Sequence, residues 1–528
     1  MTFRWLMVQE TKMTAPKSQF TEPQSVSGVV LAASAKPQPE LPALAVPLCV
    51  DLDGTLVKSD TLVDSVLVMV RQHPKLLLRL PGWLARGKAA FKQQITSSVQ
   101  LDVEHLPWNQ PLLQYLREQH GAGREIYLAT ASNRALADRV AAHLGIFAGV
   151  LASDGATNLS GAAKLAAICS RFPQGFCYIG NAGPDFDLLA ACATPMVANP
   201  HAGLTRRLQR HRTVVVRSFN DRQPLLKSWL RAVRLHQWAK NTLIFVPLLL
   251  AHQWNPGTLG GATVAFFSFG MCASSTYIIN DLLDLENDRR HPRKRRRPFA
   301  WGDLSAIAGV AAVLLLLAAA VTLAVALPAI VKALPGHLVL QRPYLFLDWL
   351  GIYTVSTLTY SIYLKRKLLL DVFVLSGLYT VRIIAGSAST GIEVSPWLAG
   401  FSVFFFLSLA FVKRFSELEG VRERGGDGSS GRAYFVSDLE QLRALGTGAA
   451  YAAVVVMTLY INNSNANALY HHPVRLWMVV PVLLLWMSRI WMLAGRGQMH
   501  DDPVVYAITD KRSLMLGALM AAVVWFAL

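Results

Sequence analysis

At 528 residues the chain is longer than one ordinary domain, and 53% hydrophobic content with a mean hydropathy of +0.34 excludes a wholly soluble protein. The formal charge of +18 lies largely in short loops between apolar runs, which points to membrane orientation and phosphate binding and away from nucleic acid as a partner. Cys49, Cys169, Cys177, Cys192 and Cys272 form no CxxC pair, so neither disulfides nor zinc is expected.

Residues 1–44 carry Pro, Ser, Gln and Lys without helical periodicity or an apolar core of signal-peptide length, and are expected to be a disordered tail, with Met13 as an alternative start. Beyond Val46 the sequence PLCVDLDGTLVKSD reads as a short apolar strand that delivers Asp51 and Asp53 into a glycine-containing turn. Two carboxylates one residue apart at a strand's end point the same way, so one can attack phosphorus while the other handles the leaving-group proton. A second strand, EIYLATAS, ends at Thr130 and Ser132; Lys164 follows in GAAKL; a third strand, GFCYIG, leads to Asn181 and Asp185.

This ordered set resembles the haloacid dehalogenase phosphatases, whose opening motif is DxDGT. The resemblance implies Asp51 as nucleophile, Asp53 as general acid/base, Thr130 and Lys164 as holders of the phosphoryl oxygens, and Asp51, Asn181 and Asp185 around Mg2+. In that family the position of Asn181 is normally an Asp; an amide offers an oxygen but no charge, so metal affinity should fall. The expected fold is an α/β doubly wound domain over 45–215 with a helical cap at about 60–110, followed by a linker at 216–225. The basic, apolar segment PKLLLRLPGWLARGKAAFKQQ from Pro74 suits a membrane surface or a packed cap helix, and packing is the preferred reading.

From 226 to 528 the expectation is an all-α polytopic membrane domain of about nine transmembrane helices, near 239–253, 259–286, 303–327, 344–364, 369–389, 396–415, 445–461, 474–494 and 513–528. The connections at 287–302, 365–368, 413–443 and 495–512 carry Lys and Arg, whereas 254–258, 390–395 and 462–473 carry none. That asymmetry puts the N-terminal domain and every basic loop in the cytoplasm, with the chain crossing the inner membrane many times.

The stretch from Ser274 to Gly302 places Asp281, Asp284 and Asp288 about one helical turn apart, with Asn280 on the same face, and then carries seven Lys/Arg within nine residues. Stacked carboxylates at a helix C-terminus repel one another and call for a cation; oxygen-only ligands suit Mg2+, completed by substrate phosphates. In the basic run Arg289, Lys294 and Arg297 are candidate phosphate ligands.

The run NDLLDLENDRRHPRKRRRPFAWG resembles the first Asp-rich motif of the UbiA superfamily of intramembrane prenyltransferases, which implies that Asp281, Asp284 and Asp288 bind Mg2+ and a diphosphate leaving group. Where such enzymes keep a second Asp-rich motif, this chain has Asp371 alone among Lys365, Arg366, Lys367 and Arg382. With Lys240 and Asn241 in RLHQWAKN and with Lys413 and Arg414 in KRFSELE, the pattern resembles the polyprenyl-phosphate phosphoribosyltransferase branch. The implied donor is phosphoribosyl pyrophosphate and the implied acceptor a polyprenyl phosphate lipid, with the N-terminal domain suited to removing the product's 5-phosphate. Two alternatives stay open. One is a prenyltransferase moving an isoprenyl chain from its diphosphate to an aromatic or other small acceptor, and the other a membrane-anchored phosphatase whose helices only bind lipid.

Overall fold

The computed structural model describes residues 46–154, 157–335, 338–428, 432–463, 469–499 and 502–528, so the tail expected over 1–44 lies outside the described residues. Strands β1 (Leu48–Val50), β2 (Ile126–Asn133), β3 (Gly149–Ser153), β4 (Cys177–Gly180), β5 (Thr194–Ala198) and β6 (Arg217–Phe219) form one parallel sheet in the order β3-β2-β1-β4-β5-β6. Leu48 stands beside Ile126 on one side and Cys177 on the other. Side chains alternate across the sheet, so Leu48, Val50, Ile126, Leu128 and Ile179 enter one apolar core, and Cys49, Tyr127, Ala129, Tyr178 and Val197 the other. This is the doubly wound α/β layer structure expected from the sequence, and it brings the ends of β1, β2 and β4 to one crevice. Because β6 pairs with β5, the sheet runs past residue 215 and the stretch expected as a linker at 216–225 carries its edge strand.

Helices α1 (Thr61–Gln72), α2 (Leu80–Ala85) and α3 (Lys88–Ser98) lie between β1 and β2, in the stretch expected as the cap. Asp60 N-caps α1 by accepting from the amides of Leu62 and Val63. In the basic segment Leu76, Leu80 and Trp83 pack towards the domain core while Leu77, Leu78 and Leu84 stay exposed.

After the sheet the chain is helical, beginning with α4 (Leu225–Val233), a 3-10 stretch (Leu235–Phe245) and α5 (Val246–Ala251). Then come α6 (Pro256–Leu283), α7 (Leu285–Arg290), α8 (Ala306–Ala333), α9 (Leu345–Ile362), α10 (Leu370–Thr390), α11 (Pro396–Arg422), α12 (Leu439–Ile461), α13 (Val479–Gly495), α14 (Pro503–Thr509) and α15 (Lys511–Ala527). Among the described residues six helical stretches are long and apolar enough to cross a membrane, at 256–283, 306–333, 370–390, 396–422, 436–461 and 473–495, in place of the expected nine. The other expected spans fall short for local reasons. The first is interrupted by a 3-10 segment and meets left-handed backbone at His252, α9 has 18 residues but is diluted by Asp348 and several Thr, Ser and Tyr, and α15 reaches only 17 residues.

Helix α8 turns Ile307, Val310, Leu314, Leu315, Val321 and Val325 outwards, as a lipid-facing helix must. Inside the bundle, small residues let elements approach closely: a Cβ on Gly386 would lie 2.1 Å from the Ile244 carbonyl oxygen.

The two halves are in direct contact. Leu67 of α1 joins the cluster of Ile278, Leu282, Leu285 and Phe299. Arg289 Nη1 reaches Asp64 at 2.8 Å, with both side chains almost fully buried, and its Nη2 lies 3.1 Å from Ser59. Arg290 pairs with Asp102 at 2.6 Å, and Lys58 lies over the Trp301 ring.

Candidate active sites

In the N-terminal crevice Asp51 directly follows β1, and its Oδ1 accepts from Lys164 Nζ at 2.8 Å. Lys164 lies 3.0 Å from the Tyr178 hydroxyl and 3.5 Å from Asp185 Oδ1. Tyr178 donates to Asp185 Oδ1 at 2.7 Å, while the amides of Asn181 and Ala182 donate to Asp185 Oδ2 at 3.0 and 3.1 Å. Asp185 therefore shapes the loop after β4 and compensates Lys164. Burial pushes the Asp51 carboxyl up to about 7 against the pull of Lys164. Asp53 accepts from the amide of Thr61 at 2.8 Å and from the Ser132 hydroxyl. Thr130 is buried and its hydroxyl receives the Ser132 amide at 3.0 Å. Asn181 lies over Gly54, whose φ of +74° and missing Cβ are both needed: a Cβ there would come within 2.0 Å of Asn181 Nδ2. A buried carboxylate with a raised proton affinity, a second carboxylate beside it and an amide oxygen form a donor set that fits Mg2+.

In the membrane half the Asp-rich segment straddles a helix break. Asp284 is both the C-cap of α6 and the N-cap of α7, with φ −92° and ψ 9°. Asp281 and Asp288 converge on one cation: Arg297 Nη1 lies 3.1 Å from Asp281 Oδ1 and 2.6 Å from Asp288 Oδ2. Arg234 adds a 2.5 Å contact to Asp281. Asp284 is held separately, by Arg71 at 2.5 Å and Lys365 at 3.6 Å. Burial pushes Asp288 up to about 6 against Arg297, with Asp281 adding to the rise. Two buried carboxylates that share one guanidinium nitrogen are an oxygen pair that fits Mg2+. Asn280 is half-buried at the same helix end. A cavity of about 650 Å³ opens beside Asp281, lined by Arg231, Arg234, His236 and Arg297 together with Leu226 and Leu230.

The basic residues divide into three groups. Arg289, a candidate phosphate ligand from sequence, is turned into the N-terminal domain and consumed by Asp64, and Lys294 and Lys367 are exposed. Arg414 is fully buried and fully engaged: it donates to Asp371, to Glu417 at 2.5 Å and to Tyr360 at 2.7 Å. Asp371 also accepts from Tyr434, and Arg432 lies 3.6 Å away, so this carboxylate is saturated. Arg382 differs. Its Nε, Nη1 and Nη2 donate to Asn241 Oδ1, the Leu378 carbonyl and the Tyr353 hydroxyl at 2.9, 2.5 and 2.9 Å, and no carboxylate pairs with it among the described residues. Beside it Lys240 and Lys413 share Asp502, at 2.7 and 2.8 Å, and Tyr379 donates to the same carboxylate at 2.9 Å. Burial opposes the charge on Asp502, yet Lys413 and Lys240 hold it well below the usual carboxylate range.

Sequence reasoning missed Asp502, Arg234, Arg71 and Tyr178. Only Asp502 carried a local signal, as an Asp-Pro helix start, which speaks of capping and not of a charged cluster.

A model of the UbiA prenyltransferase family matches residues 242–509, the stretch that holds the Asp-rich segment, Lys365, Asp371, Arg382, Arg414 and Asp502. The chain belongs to this family. Over 480 residues, 90% of each chain, it is 37% identical to protein y4nM of Sinorhizobium fredii. It is 34% identical over 291 residues to nodulation protein NoeC of Azorhizobium caulinodans, covering 54% of this chain and 89% of that one. It is 33% identical over 207 residues to decaprenyl-phosphate phosphoribosyltransferase of Mycobacterium tuberculosis, covering 38% of this chain and 63% of the relative. Among solved structures it is similar to a UbiA homologue of Archaeoglobus fulgidus bound to GPP and Mg2+, with 15% identity, TM-score 0.42, and 57% and 99% of the two chains covered. The N-terminal half is similar to a haloacid dehalogenase family hydrolase of Salmonella enterica, with 14% identity, TM-score 0.25, and 33% and 67% covered. The chain is therefore a UbiA-family domain preceded by a doubly wound parallel α/β domain.

Proposed function

We propose that the UbiA domain transfers phosphoribose from phosphoribosyl pyrophosphate to a polyprenyl phosphate, and that the N-terminal domain then removes the 5-phosphate. The observation that carries the donor assignment is Arg382, a buried guanidinium with only neutral partners, near Lys240 and Lys413 and on the same helix as Asp371, the second motif's single carboxylate, which is already saturated. Fewer available acids and more cations than a prenyl diphosphate needs suit a ligand with an additional phosphate. The M. tuberculosis relative, a decaprenyl-phosphate phosphoribosyltransferase, supports the same reading.

In this scheme Asp281, Asp284 and Asp288 hold Mg2+, which would neutralise charge building on the leaving diphosphate. Arg297 and Arg234 keep the carboxylates oriented, and Arg382 and Lys240 hold phosphate oxygens. An oxygen of the lipid phosphate attacks the anomeric carbon as the bond to diphosphate breaks; a phosphate monoanion or dianion needs no strong general base. The exposed leucines of the cavity beside Asp281, Leu226 and Leu230, suit the lipid chain. In the N-terminal crevice Asp51 attacks the 5-phosphate, Lys164 and Thr130 hold its oxygens, and Asp53 gives a proton to the departing ribose hydroxyl. Water then cleaves the phosphoaspartate. Mg2+ held by Asp51 and Asn181 would screen the phosphate charge. Both sites face the cytoplasm, from the distribution of basic loops.

The test is to give purified full chain radiolabelled phosphoribosyl pyrophosphate, polyprenyl phosphate and Mg2+, and separately isoprenyl diphosphate with aromatic acceptors. Lipid-linked ribose in the first mixture is expected. Its absence together with prenylated product in the second overturns the donor assignment.

A further inference from the structure

Helix α1 belongs to the N-terminal domain, yet both of its ends are bound to the other half's Asp-rich segment. At its start Asp64 takes Arg289, and Thr61 supplies the amide that Asp53 accepts. At its end Arg71 donates to Asp284 Oδ1 at 2.5 Å and to the Leu283 carbonyl at 3.0 Å. With the Asn287 amide turned oxygen-first, it also accepts from both terminal nitrogens of Arg71, at 3.2 and 2.8 Å. Every partner of Arg71 on the membrane half thus lies within the five residues 283–287 that frame the middle carboxylate of the motif.

Two features separate Arg71 from an ordinary interface pair. The Arg289–Asp64 pair is closed, with side chains 6% and 2% exposed, whereas Arg71 and Asp284 are 26% and 28% exposed and sit at an open edge. Asp284 is also over-compensated: Arg71 and Lys365 approach its two oxygens from different directions, while Arg234 and Arg297 already balance Asp281 and Asp288. The three aspartates and these four cations, leaving aside Glu286, which lies 3.5 Å from Arg290, therefore carry one positive charge in excess, which a divalent metal would raise to three. Only a multiply charged anion restores that balance, and a guanidinium fork at the open edge is the group suited to bind it.

We propose that Arg71, supplied by the phosphatase-like domain, is a donor-site residue of the transferase: it holds Asp284 when the site is empty and contacts the donor's diphosphate when Asp284 turns to the metal. This rests on the reading of Asp281, Asp284 and Asp288 as the metal-diphosphate site. Its signature is a pair of opposite effects, because a cation that competes with metal for Asp284 should weaken metal binding alone and strengthen diphosphate binding in the presence of metal.

The experiment measures Mn2+ binding by electron paramagnetic resonance, and inorganic diphosphate binding in saturating Mg2+ by calorimetry. It uses the full chain in an Asp51→Asn background, which removes a ligand from the N-terminal site. Arg71→Gln is expected to bind Mn2+ about fivefold tighter and diphosphate about fivefold or more weaker, the change that loss of about 1 kcal/mol gives. Arg71→Lys should restore Mn2+ affinity to about the parent value, and Arg290→Gln, which loosens the same interface elsewhere, should shift neither. Parent-like behaviour of Arg71→Gln alongside weakened Mn2+ binding by Asp284→Asn overturns the role of Arg71 and leaves the metal site standing. Equal shifts in Arg290→Gln and Arg71→Gln also overturn it, as a general effect of the interface. If Asp284→Asn leaves Mn2+ binding unchanged, the metal-site reading falls and the proposal with it.

Discussion

Replacing Arg382 with Met separates the two reasons a membrane protein keeps a buried guanidinium. Met fills the apolar stem's volume and removes the charge. In the free protein the substitution deletes hydrogen bonds to Asn241, Leu378 and Tyr353, each worth about 1.5–3 kcal/mol when the donor is charged. It also removes a desolvation penalty of several kcal/mol that no carboxylate offsets among the described residues. The two nearly cancel, so the net change should stay within about 2 kcal/mol, a thermal midpoint shift of a few degrees. Donor binding has no such compensation. Loss of one bidentate contact to phosphate, about 2–4 kcal/mol, lowers affinity for phosphoribosyl pyrophosphate roughly 30- to 800-fold. The assay pairs thermal unfolding in detergent micelles with a donor titration of lipid-linked product. A folded Arg382→Met protein with unchanged donor KM refutes the phosphate role, and a protein that fails to fold shows that Arg382 acts as a structural bolt between helices.

Asp51→Asn should leave transfer intact and make the 5-phosphorylated lipid accumulate, visible by mass spectrometry of extracted lipids; the parent's product pattern would refute the coupling. Arg414→Leu leaves Asp371 buried without its main counter-charge, a break that costs about 3–5 kcal/mol, so the yield of folded protein by size-exclusion chromatography should collapse. For Asp288, raised to about 6, the protonated form cannot bind metal, so the Mg2+ needed for half-maximal transfer should be flat above pH 7 and rise about tenfold per unit below 6. A flat Mg2+ requirement down to pH 5 would remove Asp288 from the ligand set.

What the sequence made legible was local. DLDGT and NDLLDLEND declare themselves because their carboxylates lie within eight residues of one another, and helix or strand geometry alone puts them together. Three of the six strands, β1, β2 and β4, were legible for the same reason, since each is a short apolar run, whereas β6, with Arg217 and Ser218 exposed, was not. The partners that orient those acids were not, because they come from afar: Arg71 is 213 residues from Asp284, Arg234 is 47 from Asp281, and Lys240 is 262 from Asp502. Charge type also misled where burial had not yet assigned partners. Arg289 and Arg414 have the composition of phosphate ligands but are occupied by Asp64, Asp371 and Glu417. The six spans among the described residues fall below the expected nine where polar residues or a left-handed turn break an apolar run.

The buried Arg289–Asp64 pair has a consequence for how the two halves can be separated. Cutting the chain between Phe219 and Leu225 would leave a guanidinium on one fragment and a carboxylate on the other, each built for an interior and each suddenly facing water or lipid alone. Leu67 and the Ile278 cluster would be uncovered in the same act. The N-terminal half is thus not cargo on the membrane domain: expressed apart, the pieces should find each other again, and a stable complex of the two co-purified fragments would be the mark of a chain whose two halves are inherited as one folding unit.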